Sequence, residues 1–143
     1  MDLRPPLAAP AVPESRVERL CAAISHIEDL LEEGDAAEAI AAFNADTGHA
    51  YEPYDFRNYY ASRDIEDLAL EAARPARPKV PDISRAELVE IVRRMRVVGR
   101  DQDYYMLVLE TNTVRPGAAA LALGDEPAEA VVDEILRYRP IAL

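Results

Sequence analysis

Apolar residues recur every three to four positions from Glu14 onward, with acidic residues between them. This spacing lines one face of an amphipathic helix with side chains that can pack on a core. Gly34 and Asp35 end the pattern, and an Ala-rich stretch then continues to Gly48, which suits a helix C-cap. We therefore predict two helices. The apolar positions of the first are Val17, Leu20, Cys21, Ile24, Ile27, Leu30 and Leu31.

Shorter patterns occupy the region that follows. Pro53 suits the first turn of a short helix that carries much of the aromatic volume of this half. Ser62 or Asp64 is a candidate N-cap for another helix, which spans the residues DIEDLALEAA. Residues 74–82, RPARPKVPD, contain three prolines and predict a stiff, extended linker.

Helix signals resume after the linker. Ser84 and Glu87 have the spacing of a capping box, in which each residue satisfies a backbone N–H of the other. Gly99 predicts the end of this helix, and Asp101 or Asp103 predicts the start of the next. The apolar positions of the first of these helices are Leu88, Ile91, Val92 and Met95, and those of the second are Tyr105, Leu107, Val108 and Leu109.

The end of the chain carries a turn, a short apolar piece and a last helix. The turn RPG precedes AAALAL, residues 118–123, and Asp125 and Pro127 then mark a new helix start. A β-hairpin formed by VVG and YYMLVLET is the alternative, because Tyr and Val favour strands. The capping signals around both runs favour helix instead.

These elements predict an all-α fold. A helical N-terminal region over residues 14–73 and a four-helix bundle over residues 83–143 are joined by the linker at 74–82. Residues 1–13 contain four prolines and no continuous apolar run of the length that a signal peptide or membrane span requires. We expect them to form a disordered arm on a cytoplasmic protein.

The chain is strongly acidic, with a formal net charge of −11 over 143 residues. Phosphate backbones and anionic lipids are recognised by Lys and Arg, so this charge argues against direct contact with nucleic acid or membrane. It suits a basic partner. A plainer interpretation is that the acidity only keeps a small protein in solution.

Few residues suggest catalysis or a metal. His26 and His49 are far apart, and Cys21 falls on the apolar face of a predicted helix, so we expect no metal site, no disulfide and no cofactor. No nucleophile with an orienting base can be assembled, which favours a non-catalytic protein. One basic cluster comprises Arg93, Arg94, Arg96 and Arg100. Positive charge is favourable at a helix C-terminus, and pairing with the acidic first half is a second explanation for the cluster.

The second half resembles the colicin and pyocin immunity proteins, small four-helix proteins that bind and block the nuclease domain of a bacteriocin. The resemblance covers residues 82–143 only. It rests on the order of five elements: an SRAELVEIV helix, an acidic helix ending in Glu110-Thr111-Asn112, the turn Arg115-Pro116-Gly117, a very short third helix and a last helix introduced by Pro127.

The resemblance implies that the second helix of the bundle selects among toxins and that the third supplies shared anchoring contacts. By register from the Pro-Gly turn, the toxin-facing positions would be Asp103, Met106 and Glu110, whose spacing places them on one helical face. Third-helix positions would be Ala120, where the family has Asp, and Leu123 or Gly124, where it has an aromatic residue. Loss of these anchors shifts the expected site toward the acidic helix.

Charge near these positions supports the same idea, because residues 101–134 contain eight acidic residues against Arg115 alone. Such a patch would steer a basic nuclease toward the chain; otherwise it is a solvated face around two helix starts. We expect an immunity protein or immunity-like toxin inhibitor. The alternative is a structural or regulatory adaptor that has lost its toxin surface and self-associates through AAALAL.

Overall fold

The structure is a computed structural model that describes residues 1–140. Within this range the chain is helical and contains no strand, which confirms the predicted all-α class and excludes the hairpin alternative. The last three residues of the predicted 83–143 bundle lie outside the described residues. The helices are α1 (Glu14–Glu33), α2 (Ala37–Thr47), α3 (Pro53–Asn58), α4 (Ile65–Ala73), α5 (Arg85–Met95), α6 (Gln102–Thr111), α7 (Ala118–Ala122) and α8 (Ala128–Arg137).

The chain divides into two compact units. One, here called the inner unit, contains residues Pro10–Ala76. The other, here called the outer unit, combines Met1–Ala9 with Arg77–Leu143, so that the inner unit is inserted into its sequence. No helix of the described chain is long and apolar enough to cross a membrane.

Helices α1 to α4 build the inner unit, and their ends match local sequence signals. Gly34 and Gly48 end α1 and α2 at φ values of 126° and 76°, where a side chain would be strained. Asp64 and Asp67 form a reciprocal capping box that starts α4. The core of this unit consists of Val17, Leu20, Ile24, Ile27, Ala36, Ile40, Phe43, Phe56, Leu68, Ala69 and Ala72.

Aromatic rings pack around the end of α2. Phe43 contacts Phe56 edge-on with centroids 5.5 Å apart, and Tyr51 packs 5.8 Å from each of these two rings. The Tyr51 hydroxyl donates to Glu71 Oε1 at 2.7 Å. Burial, together with the nearby Glu71 carboxylate, raises the pKa of Tyr51 well above its usual range. Its proton therefore stays on the ring oxygen and fixes α4 against the segment that follows α2.

Helices α5 to α8 build the outer unit. The predicted capping box is present: Ser84 Oγ accepts from Glu87 N at 3.1 Å, and Glu87 Oε1 accepts from Ser84 N at 2.9 Å. Helix α5 packs against α6 and α8. It ends at Met95, four residues before the predicted Gly99, and the side chain of Gln102 donates to the Met95 carbonyl at 2.8 Å. Satisfying that terminal carbonyl lets the helix end early.

The N-terminal residues correct the expected disordered arm. Leu3 and Leu7 are 9% and 0% exposed and join the core of the outer unit. A turn in which the Leu7 amide donates to the Arg4 carbonyl at 2.9 Å places them on the same side. The Ala9 amide donates to the Tyr105 hydroxyl at 3.1 Å. Proline prevents a helix here, but two leucines four residues apart bury enough apolar surface to order the segment.

The proline-rich segment 74–82 is non-helical, as the sequence suggests, but its later part is not a free linker. Val80 is 7% exposed and belongs to the core of the outer unit. Asn112, at the end of α6, accepts from the Val80 amide at 2.8 Å and donates to the Pro78 carbonyl at 2.9 Å. One side chain thus satisfies two backbone groups of an irregular segment, which fixes it in place.

Candidate interaction surface on helices α6 and α7

Helix α6 carries the three predicted toxin-facing residues, two of them exposed and one partly buried. Asp103 and Glu110 are exposed, and Met106 is partly buried where its side chain packs against the apolar core. The opposite face carries the buried residues Tyr104, Tyr105, Val108 and Leu109. A spacing of three and four residues therefore leaves one face with two carboxylates and a thioether between them.

Helix α7 is a single short turn that follows the Pro-Gly turn. Gly117 precedes it with φ 70°, a left-handed conformation that an L side chain rarely adopts. Ala120 is exposed and Leu123 is 44% exposed, whereas three alanines of the same stretch are buried; these are Ala118, Ala119 and Ala122. Small residues thus seat α7 on the core and leave two positions facing solvent.

The structure brings the two predicted groups into one unit, because α7 packs against both α6 and α8. Asp103, Met106 and Glu110 lie on α6, and Ala120 and Leu123 lie on or directly after α7. We call these five residues the α6–α7 surface. It offers two carboxylates, a polarizable thioether and the apolar side chains of an alanine and a leucine, which are groups that can contact a protein surface.

Two exposed valines follow α5, in the VVG segment that the sequence analysis considered only as part of an alternative hairpin. Val97 and Val98, after α5, are 68% and 87% exposed. Arg96 Nε donates to the Ala122 carbonyl at 2.8 Å and thereby joins this loop to the end of α7. Leu123, which is also exposed, follows Ala122 directly.

Ion pairs reduce the acidic patch that the sequence predicts. Of the eight acidic residues, Asp133 accepts from Arg85 at 2.7 and 3.1 Å, and Glu129 pairs with Arg93. The hydrogen bond from Arg85 lowers the pKa of Asp133. Asp103 and Glu110, by contrast, have no ion-pair partner within residues 1–140. The carboxylates available to a basic partner therefore include the two that the resemblance selected.

Three of the four arginines in the basic cluster at the end of α5 have partners inside their own unit. Arg94 Nε donates to Glu90 Oε2 at 2.9 Å, and its Nη1 donates to the Tyr105 hydroxyl at 3.1 Å. The hydrogen bond from Arg94 lowers the pKa of Glu90. With Arg93 and Arg96 also engaged, the sequence-based idea of pairing with the acidic first half is replaced by pairing within the outer unit.

Net charge is distributed unevenly between the two units. The inner unit contains fifteen acidic residues and five arginines, a net charge of −10, whereas the chain as a whole carries −11. Nearly all of the excess acidity therefore lies in the unit for which the sequence suggested no function. Counting charges within each unit is the signal that would have revealed this from the sequence.

Within residues 1–140, no group of three or more His, Cys, Asp or Glu side chains is placed to hold a metal ion. His26 is exposed on α1. His49 stacks on Tyr51 with centroids 5.0 Å apart, and its Nε2 lies 2.7 Å from the Arg74 carbonyl oxygen. Both histidines thus have structural or solvated positions.

Comparisons of the chain with protein-family models, with curated proteins and with solved structures give no significant match.

Proposed function

We propose that this chain is a non-catalytic immunity-type inhibitor that binds and blocks a basic bacterial toxin domain, a nuclease, in the cytoplasm of the cell that makes it. The α6–α7 surface is the proposed contact. The observation that supports the proposal is that Asp103 and Glu110 are exposed on the side of α6 that carries the partly buried Met106, while α7, which packs against α6, leaves Ala120 and the following Leu123 exposed.

The chemistry of this surface suits a nuclease. A phosphate-binding cleft is lined with Lys and Arg, and carboxylates that have no partner of their own meet such a surface without first breaking an internal ion pair. Asp103 and Glu110 are seven residues apart, or about 10 Å along a helix. They can therefore engage two separate cations while Met106 fills the space between them.

The α7 side of the surface contributes less than it would in the immunity proteins that the chain resembles. Ala120 and Leu123 replace an acidic and an aromatic anchor, and anchors of this type dominate binding energies at interfaces. If the missing anchors account for ~5 kcal/mol, their absence weakens binding by nearly four orders of magnitude. Affinity then rests on the carboxylates of α6 and falls steeply with salt.

A direct test uses a basic nuclease toxin domain as the partner, with a toxin-like gene adjacent to that of this chain as its first source. The purified chain is titrated against that protein by calorimetry at low salt, and nuclease activity is followed in parallel. We expect a one-to-one complex with loss of nuclease activity, and weaker binding when Asp103→Asn and Glu110→Gln are combined. Absence of a complex at micromolar concentrations and low salt would contradict the proposal.

An adaptor that self-associates through residues 118–123 makes a different prediction for the same surface. Three of the alanines in this stretch are buried inside the outer unit, so a second copy could reach only Ala120 and side chains around Leu123. Light scattering on the purified chain separates the two functions. A monomer favours the inhibitor, whereas a dimer that dissociates on Leu123→Asp favours the adaptor.

A further inference from the structure

A surface cavity of about 230 Å³ lies in the inner unit, between α1 and the segment formed by α3 and the turn after it. With ~30 Å³ for each water molecule, this is room for about seven waters, enough for one long side chain. Its lining residues are Glu28, Leu31, Glu32, Phe56, Arg57 and Tyr60.

The geometry of α1 and α3 explains this lining. Glu28, Leu31 and Glu32 are spaced by three and four residues, so they follow one strip of α1. The Tyr59 hydroxyl donates to Glu28 Oε1 at 2.6 Å, which holds this carboxylate at the cavity. Buried Phe56, 1% exposed, supplies the apolar floor. The cavity therefore has an apolar base and carboxylates at its edge.

Tyr60 gives the cavity an aromatic wall. Tyr60 is 74% exposed, so its ring is available to a ligand. The ring of Tyr59 meets it edge-on, with centroids 6.4 Å apart and planes at 83°. An exposed and oriented tyrosine is a frequent energetic centre of protein interfaces.

We propose that this cavity binds the arginine or lysine side chain of a basic protein partner. The cationic end lies between the Glu28 and Glu32 carboxylates and against the ring of Tyr60, and the methylene stem covers Leu31 and Phe56. The surrounding unit, with a net charge of −10, draws such a partner toward the cavity. A long cationic side chain is the ligand that matches both the apolar floor and the acidic edge.

Arg57 is the one lining residue that opposes a cation. It is exposed, and no ion-pair partner holds it in place within residues 1–140. A cationic ligand must displace its charge from the edge of the cavity, whereas an anionic ligand would use it as the binding group. Removal of Arg57 therefore strengthens binding of a cation and weakens binding of an anion, which makes this residue a discriminating probe.

The proposal is independent of the toxin assigned to the α6–α7 surface, because it concerns residues of the inner unit alone. Its test contains no toxin. The full chain, labelled with ¹⁵N, is titrated with Nα-acetyl-arginine amide and monitored by nuclear magnetic resonance. Nα-acetyl-citrulline amide, which has nearly the same shape without the charge, is the matched ligand control.

We expect saturable shifts at Glu28, Leu31, Phe56 and Tyr60 with the arginine derivative and none with the citrulline derivative. Glu32→Gln and Tyr60→Ala each weaken binding by roughly two- to fivefold, because exposed ion pairs and cation–π contacts are of that strength. Arg57→Gln strengthens it. The double variant Glu18→Gln, Glu33→Gln, which removes two charges from α1 outside the cavity lining, leaves the local affinity nearly unchanged.

Three results would overturn the proposal. Equal shifts with the citrulline derivative would show that charge is not recognised, and weaker binding in Arg57→Gln would show that the cavity prefers an anion. Shifts spread evenly over all acidic positions of α1 would show a diffuse ion atmosphere instead of a site. Glu32 and Tyr60 are exposed, so their substitution leaves the core of the unit intact. A change in binding by these variants therefore cannot be attributed to unfolding.

Discussion

The guanidinium of Arg4 forms a two-pronged ion pair with the carboxylate of Glu87, with Nε–Oε2 and Nη2–Oε1 distances of 2.7 and 2.9 Å, across 83 residues of sequence. Glu87 is buried and also completes the capping box of α5 with Ser84. The Glu87 carboxylate thus caps a helix and also binds the N-terminal segment. Loss of Arg4 would leave this buried carboxylate without two of its hydrogen-bond donors.

Replacing Arg4 by Gln should lower the stability of the outer unit, because the Glu87 carboxylate loses two charge-assisted hydrogen bonds in a desolvated place. Urea denaturation followed by circular dichroism measures this as a lower midpoint. Arg77→Gln is the matched control, since it removes the same charge from an exposed side chain of the same unit. Equal midpoints for the two variants would contradict the anchoring role of Arg4.

Acid should abolish the difference in unfolding free energy between the native chain and Arg4→Gln. The hydrogen bonds from Arg4, and next the one from the Ser84 backbone, lower the pKa of Glu87 from 4.5 to about 2. Because the pKa of Glu87 is lower in the folded state, the stabilisation is complete at pH values above the pKa of the unfolded state. It is lost as the pH falls toward the pKa of the folded state. We expect a constant difference in unfolding free energy above about pH 5 that shrinks between pH 4.5 and 2.

The apolar side of the N-terminal segment can be tested separately. Leu7 is fully buried in the core of the outer unit. Leu7→Ala should destabilise the protein by about 2–5 kcal/mol, the usual cost of a cavity left by a buried leucine. Leu136→Ala, at a position that is 41% exposed, is the matched control and should cost far less. A small effect of Leu7→Ala in thermal unfolding would restore the idea of a disordered arm.

Local signals predicted the helices well because their causes are local. The capping boxes of Ser84 with Glu87 and of Asp64 with Asp67 involve residues three apart, and Gly48 ends α2 where a left-handed residue is required. The N-terminal segment could not be predicted in this way. Its order depends on contacts of Arg4 and Leu7 with residues far along the chain, which no periodicity reports.

The same distinction between local and long-range causes applies to the candidate sites. The shared face of Asp103, Met106 and Glu110 follows from helical spacing, and the structure leaves the two carboxylates exposed and Met106 partly buried. The pairing of Asp133 with Arg85 depends on how α5 packs against α8, and the cavity around Tyr60 depends on how α1 packs against α3. Both features depend on tertiary packing. A count of charges along the sequence therefore overstated the acidic patch of residues 101–134 and did not reveal the cavity around Tyr60.

The distinction between free and paired carboxylates gives a kinetic prediction for toxin binding. The variants Asp103→Asn with Glu110→Gln, and Glu129→Gln with Asp133→Asn, remove the same amount of charge from the outer unit. Long-range steering depends on net charge, so both should slow association with a basic nuclease at low salt by similar factors. Surface plasmon resonance at two salt concentrations measures these rates.

Dissociation should separate the two pairs of variants. Asp103 and Glu110 are free to contact the partner, so their loss removes contacts and should raise the dissociation rate by about tenfold or more, equivalent to about 1.4 kcal/mol. Glu129 and Asp133 already bind Arg93 and Arg85, so their loss should leave dissociation almost unchanged. If both pairs accelerated dissociation equally, the acidity of the outer unit would act only as a diffuse field, and the α6–α7 surface would not be the contact.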